Sequence, residues 1–149
     1  MKNYYTILLS HGLFAQEALG SVEMIMGEIE DISTIGLFPG MGIEDLSSSV
    51  LAVMDTVAAK SKDLVLILTD IPFGTPTNVA LLLEANNPKI LVITGFNLPL
   101  LVNVLENDQL DKQQILELLE ESKELMKTLS VDAAKNNNSV ADISEEEEL

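Results

Sequence analysis

Leu64-Val65-Leu66-Ile67-Leu68-Thr69-Asp70 is apolar at five successive positions and closes on a hydroxyl and a carboxylate. A half-exposed strand alternates apolar with polar residues. A short run with no polar face belongs to a strand covered on both sides, the usual state of a parallel strand. Tyr4 to Leu9 has the same character, and Ile90 to Thr94 repeats it in five residues. Ile32 to Phe38 reads as a further short strand, ended by Pro39-Gly40.

Between these runs the apolar spacing becomes that of a helix face. Ala15, Leu19, Val22, Met26 and Ile29 mark a helix over 13–29; Leu46, Val50, Val53, Met54 and Val57 mark one over about 44–60. Thr75-Pro76 reads as a helix start, with the hydroxyl at the N-cap and proline at the first helical position. That helix runs to about Ala85 and stops at Asn86-Asn87-Pro88. The stretch 95–99 turns the chain into a short helix, 100–105. Asp111 caps a longer one whose stripe is Ile115, Leu118, Leu119, Ser122, Leu125, Met126 and Leu129.

Four strand–helix alternations predict an α/β fold: a doubly wound, mainly parallel four-stranded sheet, order 2-1-3-4, with helices on both faces. In that order the winding reverses between the first and third strands, and ligands of such folds sit beyond the carboxyl ends there. His11 follows the first strand and Asp70 the third. The topology therefore predicts that these two residues meet.

Composition narrows the chemistry. The chain has 149 residues and a formal charge of -16, and all eight of its basic residues are lysine. Such acidity repels nucleic-acid backbones and anionic membrane surfaces. Without arginine, bound phosphate depends on backbone N–H groups, hydroxyls and helix ends. Without cysteine there is no disulfide framework, and a single histidine makes poor material for catalytic zinc. The apolar run after Lys2 is too short for a signal-peptide core, and the uncharged run 90–105, broken by Gly95, Asn97 and Pro99, is too short to span a membrane. The expectation is a cytoplasmic protein with one domain over 1–130. The tail, 131–149, ends in Glu145 to Glu148 and reads as solvated and mobile.

His11 is the one side chain whose ordinary pKa lies near neutrality. A carboxylate beside it would fix its tautomer, orient the ring and stabilise charge growing on it. Helices opening after Gly12 and at Thr75 would aim N-termini at a bound anion. Thr75 adds a hydroxyl, and Gly74 allows close backbone approach. A lone histidine can equally be a hydrogen-bonded structural residue, and an aspartate at a strand end a simple cap. Spacing alone leaves both readings open.

Ser10-His11-Gly12, the Phe38-Pro39-Gly40 turn, Asp70 with Gly74-Thr75-Pro76 and Asn78, and Gly95-Phe96-Asn97-Leu98-Pro99-Leu100 occur together in that order. This set resembles the enzyme IIA component of the mannose-family sugar phosphotransferase system, over residues 1 to about 130. The resemblance implies a homodimer and a phosphohistidine relay. The histidine phosphocarrier protein would donate to His11, and a IIB component would accept and phosphorylate sugar entering through membrane IIC and IID subunits. It implies Asp70 as the partner of His11, Gly12, Gly74 and Thr75 around the phosphoryl group, and no metal, nucleotide or other cofactor. Some members exchange a C-terminal antiparallel strand across the dimer; here 123–129 reads as continued helix. Phe73 stands where the family often has glycine, and Ile71-Pro72 where many members have a polar or aromatic pair. The phosphocarrier subunit of dihydroxyacetone kinase is the nearest alternative, and a non-catalytic regulatory module of this architecture the next. A receiver domain would need an acidic cluster after the first strand, and a dinucleotide binder a glycine-rich first turn. Neither is present.

Overall fold

The computed structural model describes residues 1–132; the 133–149 part of the tail expectation lies outside the described residues. Strands β1 (Tyr4–His11), β2 (Ile32–Leu37), β3 (Leu64–Thr69) and β4 (Ile90–Thr94) alternate with helices α1 (Phe14–Met26), α2 (Ile43–Ala58), α3 (Thr75–Glu84), α4 (Leu98–Leu105) and α5 (Lys112–Lys123). The sheet is parallel throughout, in the order β2-β1-β3-β4.

The period of two along β1 divides the core. Tyr4 and Leu8 face one side with Leu66, Leu68 and Ile93, packed against Ala15 and Val22 of α1, Leu101 and Val104 of α4 and Ile115 of α5. Tyr5, Ile7 and Leu9 face the other with Val65 and Ile67, packed against Leu46 and Val50 of α2 and Val79 and Ala80 of α3. Each fully buried Leu or Ile stabilises the fold by roughly 1.5–3 kcal/mol. This two-sided burial is why the strands carry no polar face.

One position breaks that pattern. Thr6, wholly buried in β1, has a hydroxyl with no hydrogen-bond partner. A buried hydroxyl left without a partner is costly. Thr6→Val keeps the shape and removes the unmatched group. It is expected to raise stability by about 1 kcal/mol, read as a higher urea midpoint at unchanged slope. A lower midpoint would show that the hydroxyl is matched in solution.

Several element ends differ from the sequence expectation, among them that of α1, which stops at Met26 instead of Ile29 because Gly27, at φ +84, leaves the helix. β1 continues two residues further, because Ser10 and His11 pair with Gly36 and Leu37. α3 is capped by Gly74, and Thr75 is its first helical residue; the Thr75 side chain caps nothing. α4 begins at Leu98, two residues early, because Asn97 Oδ1 accepts the Leu100 N–H at 3.0 Å. α5 does not continue through 123–129. It ends at Lys123, where Glu124 N–H and Leu125 N–H turn back to Glu121 and Ser122. Ser122 is the last stripe residue to find cover, whereas Met126 is 86% exposed. Past Ser122 there is no core to bury, and propensity alone does not sustain the helix. Among the described residues no strand follows Thr94, so an exchanged C-terminal strand is not seen. None of the described helices is long and apolar enough to cross a membrane.

Candidate active site

His11 ends β1 on the inner pair of strands, and Asp70 follows the last residue of β3. Leu9 pairs with Thr69, so the register sets Asp70 beside the end of β1. Asp70 Oδ2 accepts from both His11 backbone N–H (2.9 Å) and His11 Nδ1 (2.8 Å). Its other oxygen accepts the Ile71 N–H at 2.9 Å. Because Oδ2 can only accept, the proton sits on Nδ1, and Nε2 keeps its lone pair. The ring is 48% exposed and the carboxylate 13% exposed.

Burial works against the Asp70 carboxylate, but the His11 backbone N–H, the His11 ring and the Ile71 N–H outweigh it. Its pKa lies below the ordinary carboxylate value. The group is therefore charged at neutral pH, as a partner for a developing imidazolium must be.

The loop from Asp70 to Thr75 is fixed from beneath. Thr77, buried in the first turn of α3, donates its hydroxyl proton to the Ile71 carbonyl and accepts from Thr69 at 2.7 Å. Gly74 has φ +114 and ψ 174, a region open essentially to glycine. A Cβ there would lie 3.2 Å from His11 Cε1 and 3.4 Å from Nε2. Gly74 thus forms one wall of the space in front of the imidazole. Gly74→Ala is expected to cost about 1–3 kcal/mol through backbone strain and to obstruct Nε2. Urea unfolding and the rate of His11 modification would check it; an alanine variant as reactive as wild type would show that the wall is open.

Gly12 stands beside the ring at the exit from β1. Its N–H is bound to the Leu37 carbonyl at 2.7 Å and is not free for a ligand. With φ +53 it makes the turn out of β1. The N-terminus of α1 is also partly taken, because the buried Ser10 Oγ accepts the Ala15 N–H at 2.8 Å. The N-terminus of α3 is the better donor end. Pro76 has no N–H, the hydroxyl of Thr75 caps nothing, and the first N–H groups of a helix lack internal partners. Among the described residues, Lys2, Lys60, Lys62, Lys89 and Lys112 bond to groups at the amino end of the sheet, away from this site.

Sequence reasoning thus brought His11, Asp70 and Gly74 together and placed Thr75 alongside. It missed the supporting roles of Ser10, Thr69 and Thr77. The threonine pair left only a weak signal: hydroxyls at a strand end and eight residues later, in the first turn of the next helix.

The chain is also similar to known proteins. The family model described as the PTS system fructose IIA component matches residues 5–123. The sorbose-specific EIIA component of Klebsiella pneumoniae is 31% identical over 103 residues, which is 69% of this chain and 73% of that protein. The mannose-specific EIIAB component of Escherichia coli K12 is 33% identical over 102 residues, 66% of this chain; the match spans only 30% of that longer protein. Among solved structures, the PTS IIA protein associated with the fucose utilization operon of Streptococcus pneumoniae superposes with TM-score 0.77 at 32% identity, covering 85% of this chain and 93% of that one.

Proposed function

Because the chain belongs to the family of phosphotransferase-system IIA components of the fructose and mannose class, we propose that it carries a phosphoryl group on His11 Nε2. In this reading the histidine phosphocarrier protein is the donor and a IIB component the acceptor. The observation that supports it most directly is the 2.8 Å contact between His11 Nδ1 and Asp70 Oδ2, which leaves Nε2 as the free nucleophile.

The step follows from the geometry. The Nε2 lone pair attacks phosphorus in line; the Nε2–P bond forms as the donor's N–P bond breaks, and the donor imidazole leaves with that electron pair. Phosphoryl transfer of this kind asks mainly for alignment and for stabilisation of the equatorial oxygens. The N-terminus of α3 and the Thr75 hydroxyl supply donors, and Gly74 lets the group approach the backbone. Asp70 balances the positive charge growing on the ring. Passing the group onward reverses these movements, with the IIB side chain as nucleophile.

The test is incubation with phosphoenolpyruvate, enzyme I and the histidine phosphocarrier protein. One phosphate per chain is expected, labile to acid and stable to base, and discharged by a IIB partner. Absence of label would overturn the reading. Discharge only to the nucleotide-bearing subunit of dihydroxyacetone kinase would reassign the acceptor.

A further inference from the structure

The loops at the carboxyl end of the sheet carry little charge for a chain of net charge -16. The connections after the four strands, residues 12–16, 38–43, 71–78 and 95–103, contain no Asp, Glu, Lys or Arg. His11 and Asp70 stand at the strand ends themselves, and Glu17, Glu44 and Asp45 follow in the first turns of α1 and α2. Exposed apolar side chains take the place of charge: Leu13, Phe14, Phe38, Ile71 and Phe73. Phe73 stands out among them at 81% exposed. Its loop is held by the bonds to Ile71 on one side and by the start of α3 at Gly74 on the other. Phe73 is therefore held out in water beside His11 while contributing nothing to the core.

We propose that Phe73 is the anchor by which a phosphorylated donor protein docks over His11, and that this donor presents its phosphorylated residue from an apolar patch. The proposal rests on the phosphohistidine reading above. In-line transfer brings the reacting atoms to about 3–3.5 Å, so a protein donor must cover the connections around the ring. Interface centres are depleted of charge and enriched in aromatic residues, and a few such residues carry most of the binding. A small phosphorylated metabolite would call instead for cationic side chains, and among the described residues the connections around His11 contain no lysine. The lack of carboxylates in these connections has a second effect: they add no repulsion to that of Asp70 as the dianionic group arrives.

Two donors separate docking from chemistry: the phosphorylated histidine phosphocarrier protein, and phosphoramidate, a small donor that loses ammonia as its N–P bond is exchanged for Nε2–P. Phe73→Ser is expected to raise the KM for the protein donor about tenfold or more, with kcat and the phosphoramidate rate within about twofold of wild type. Phe73→Tyr is expected to restore the KM. An unchanged KM in Phe73→Ser would overturn the proposal. So would an equal loss with both donors, which would make Phe73 a support of the site itself. Wild type labelled by phosphoramidate alone would keep His11 as the reactive group and overturn the docking of this donor. Wild type labelled by neither would bring down the phosphohistidine reading.

Discussion

His11→Ala is expected to abolish phosphate incorporation while leaving the protein folded. The chain has no second histidine and no cysteine, so no other imidazole or thiol can take over as the nucleophile. The fold does not depend on the imidazole, whose ring is half exposed and lies outside both core clusters. What is lost is one hydrogen bond to Asp70, about 1 kcal/mol; the carboxylate keeps the His11 and Ile71 N–H groups. The measurement is labelling from phosphoenolpyruvate together with a urea unfolding curve. Label retained by a folded alanine variant would place the phosphoryl group elsewhere.

Asp70→Asn is expected to slow transfer by about 10²–10⁴-fold. The amide has one acceptor where the carboxylate has two. If its oxygen faces His11, the tautomer survives, but the NH₂ opposes the Ile71 N–H and the negative charge is gone. If it faces Ile71, the NH₂ points at Nδ1, and the ring proton moves to Nε2, where it blocks attack. Either arrangement impairs the step, and a rate equal to wild type would remove Asp70 from the mechanism.

The same variant carries a pH signature. The Asp70 pKa is lowered in the fold, so its contribution is fully present above the unfolded value near 3.9 and is lost as pH falls through the folded value. Wild type should therefore lose stability on acidification below about pH 4 by an increment that Asp70→Asn lacks. Urea unfolding at neutral pH and near pH 3 would show whether the two curves converge.

The sheet was legible because burial on both faces leaves a plain mark: Leu64 to Leu68 has no polar residue to turn outward. Strand order followed from handedness, and the meeting of His11 with Asp70 followed from strand order. The parts that were not legible depend on groups far apart in sequence. No pattern in 10–15 announces that Ser10 will receive the Ala15 N–H, because that needs the exact turn at Gly12. Nor does any local pattern announce that the Gly12 N–H will bond to Leu37, a residue on another strand. Leu125, Met126 and Leu129 keep helical spacing, but only the packed molecule shows that the core has ended beneath them. Thr75 looked like a cap because hydroxyl before proline is a common start; the strained glycine before it took that position.

The bonds joining Thr69, Thr77 and the Ile71 carbonyl bear on the pace of the relay. A segment braced in this way has little left to rearrange when two proteins collide. Each visit then finds the imidazole and its surroundings already set, and the interval between arrival and departure can be brief. For a carrier of the kind proposed, which would meet a donor and an acceptor protein in every cycle, such readiness favours throughput over lasting attachment.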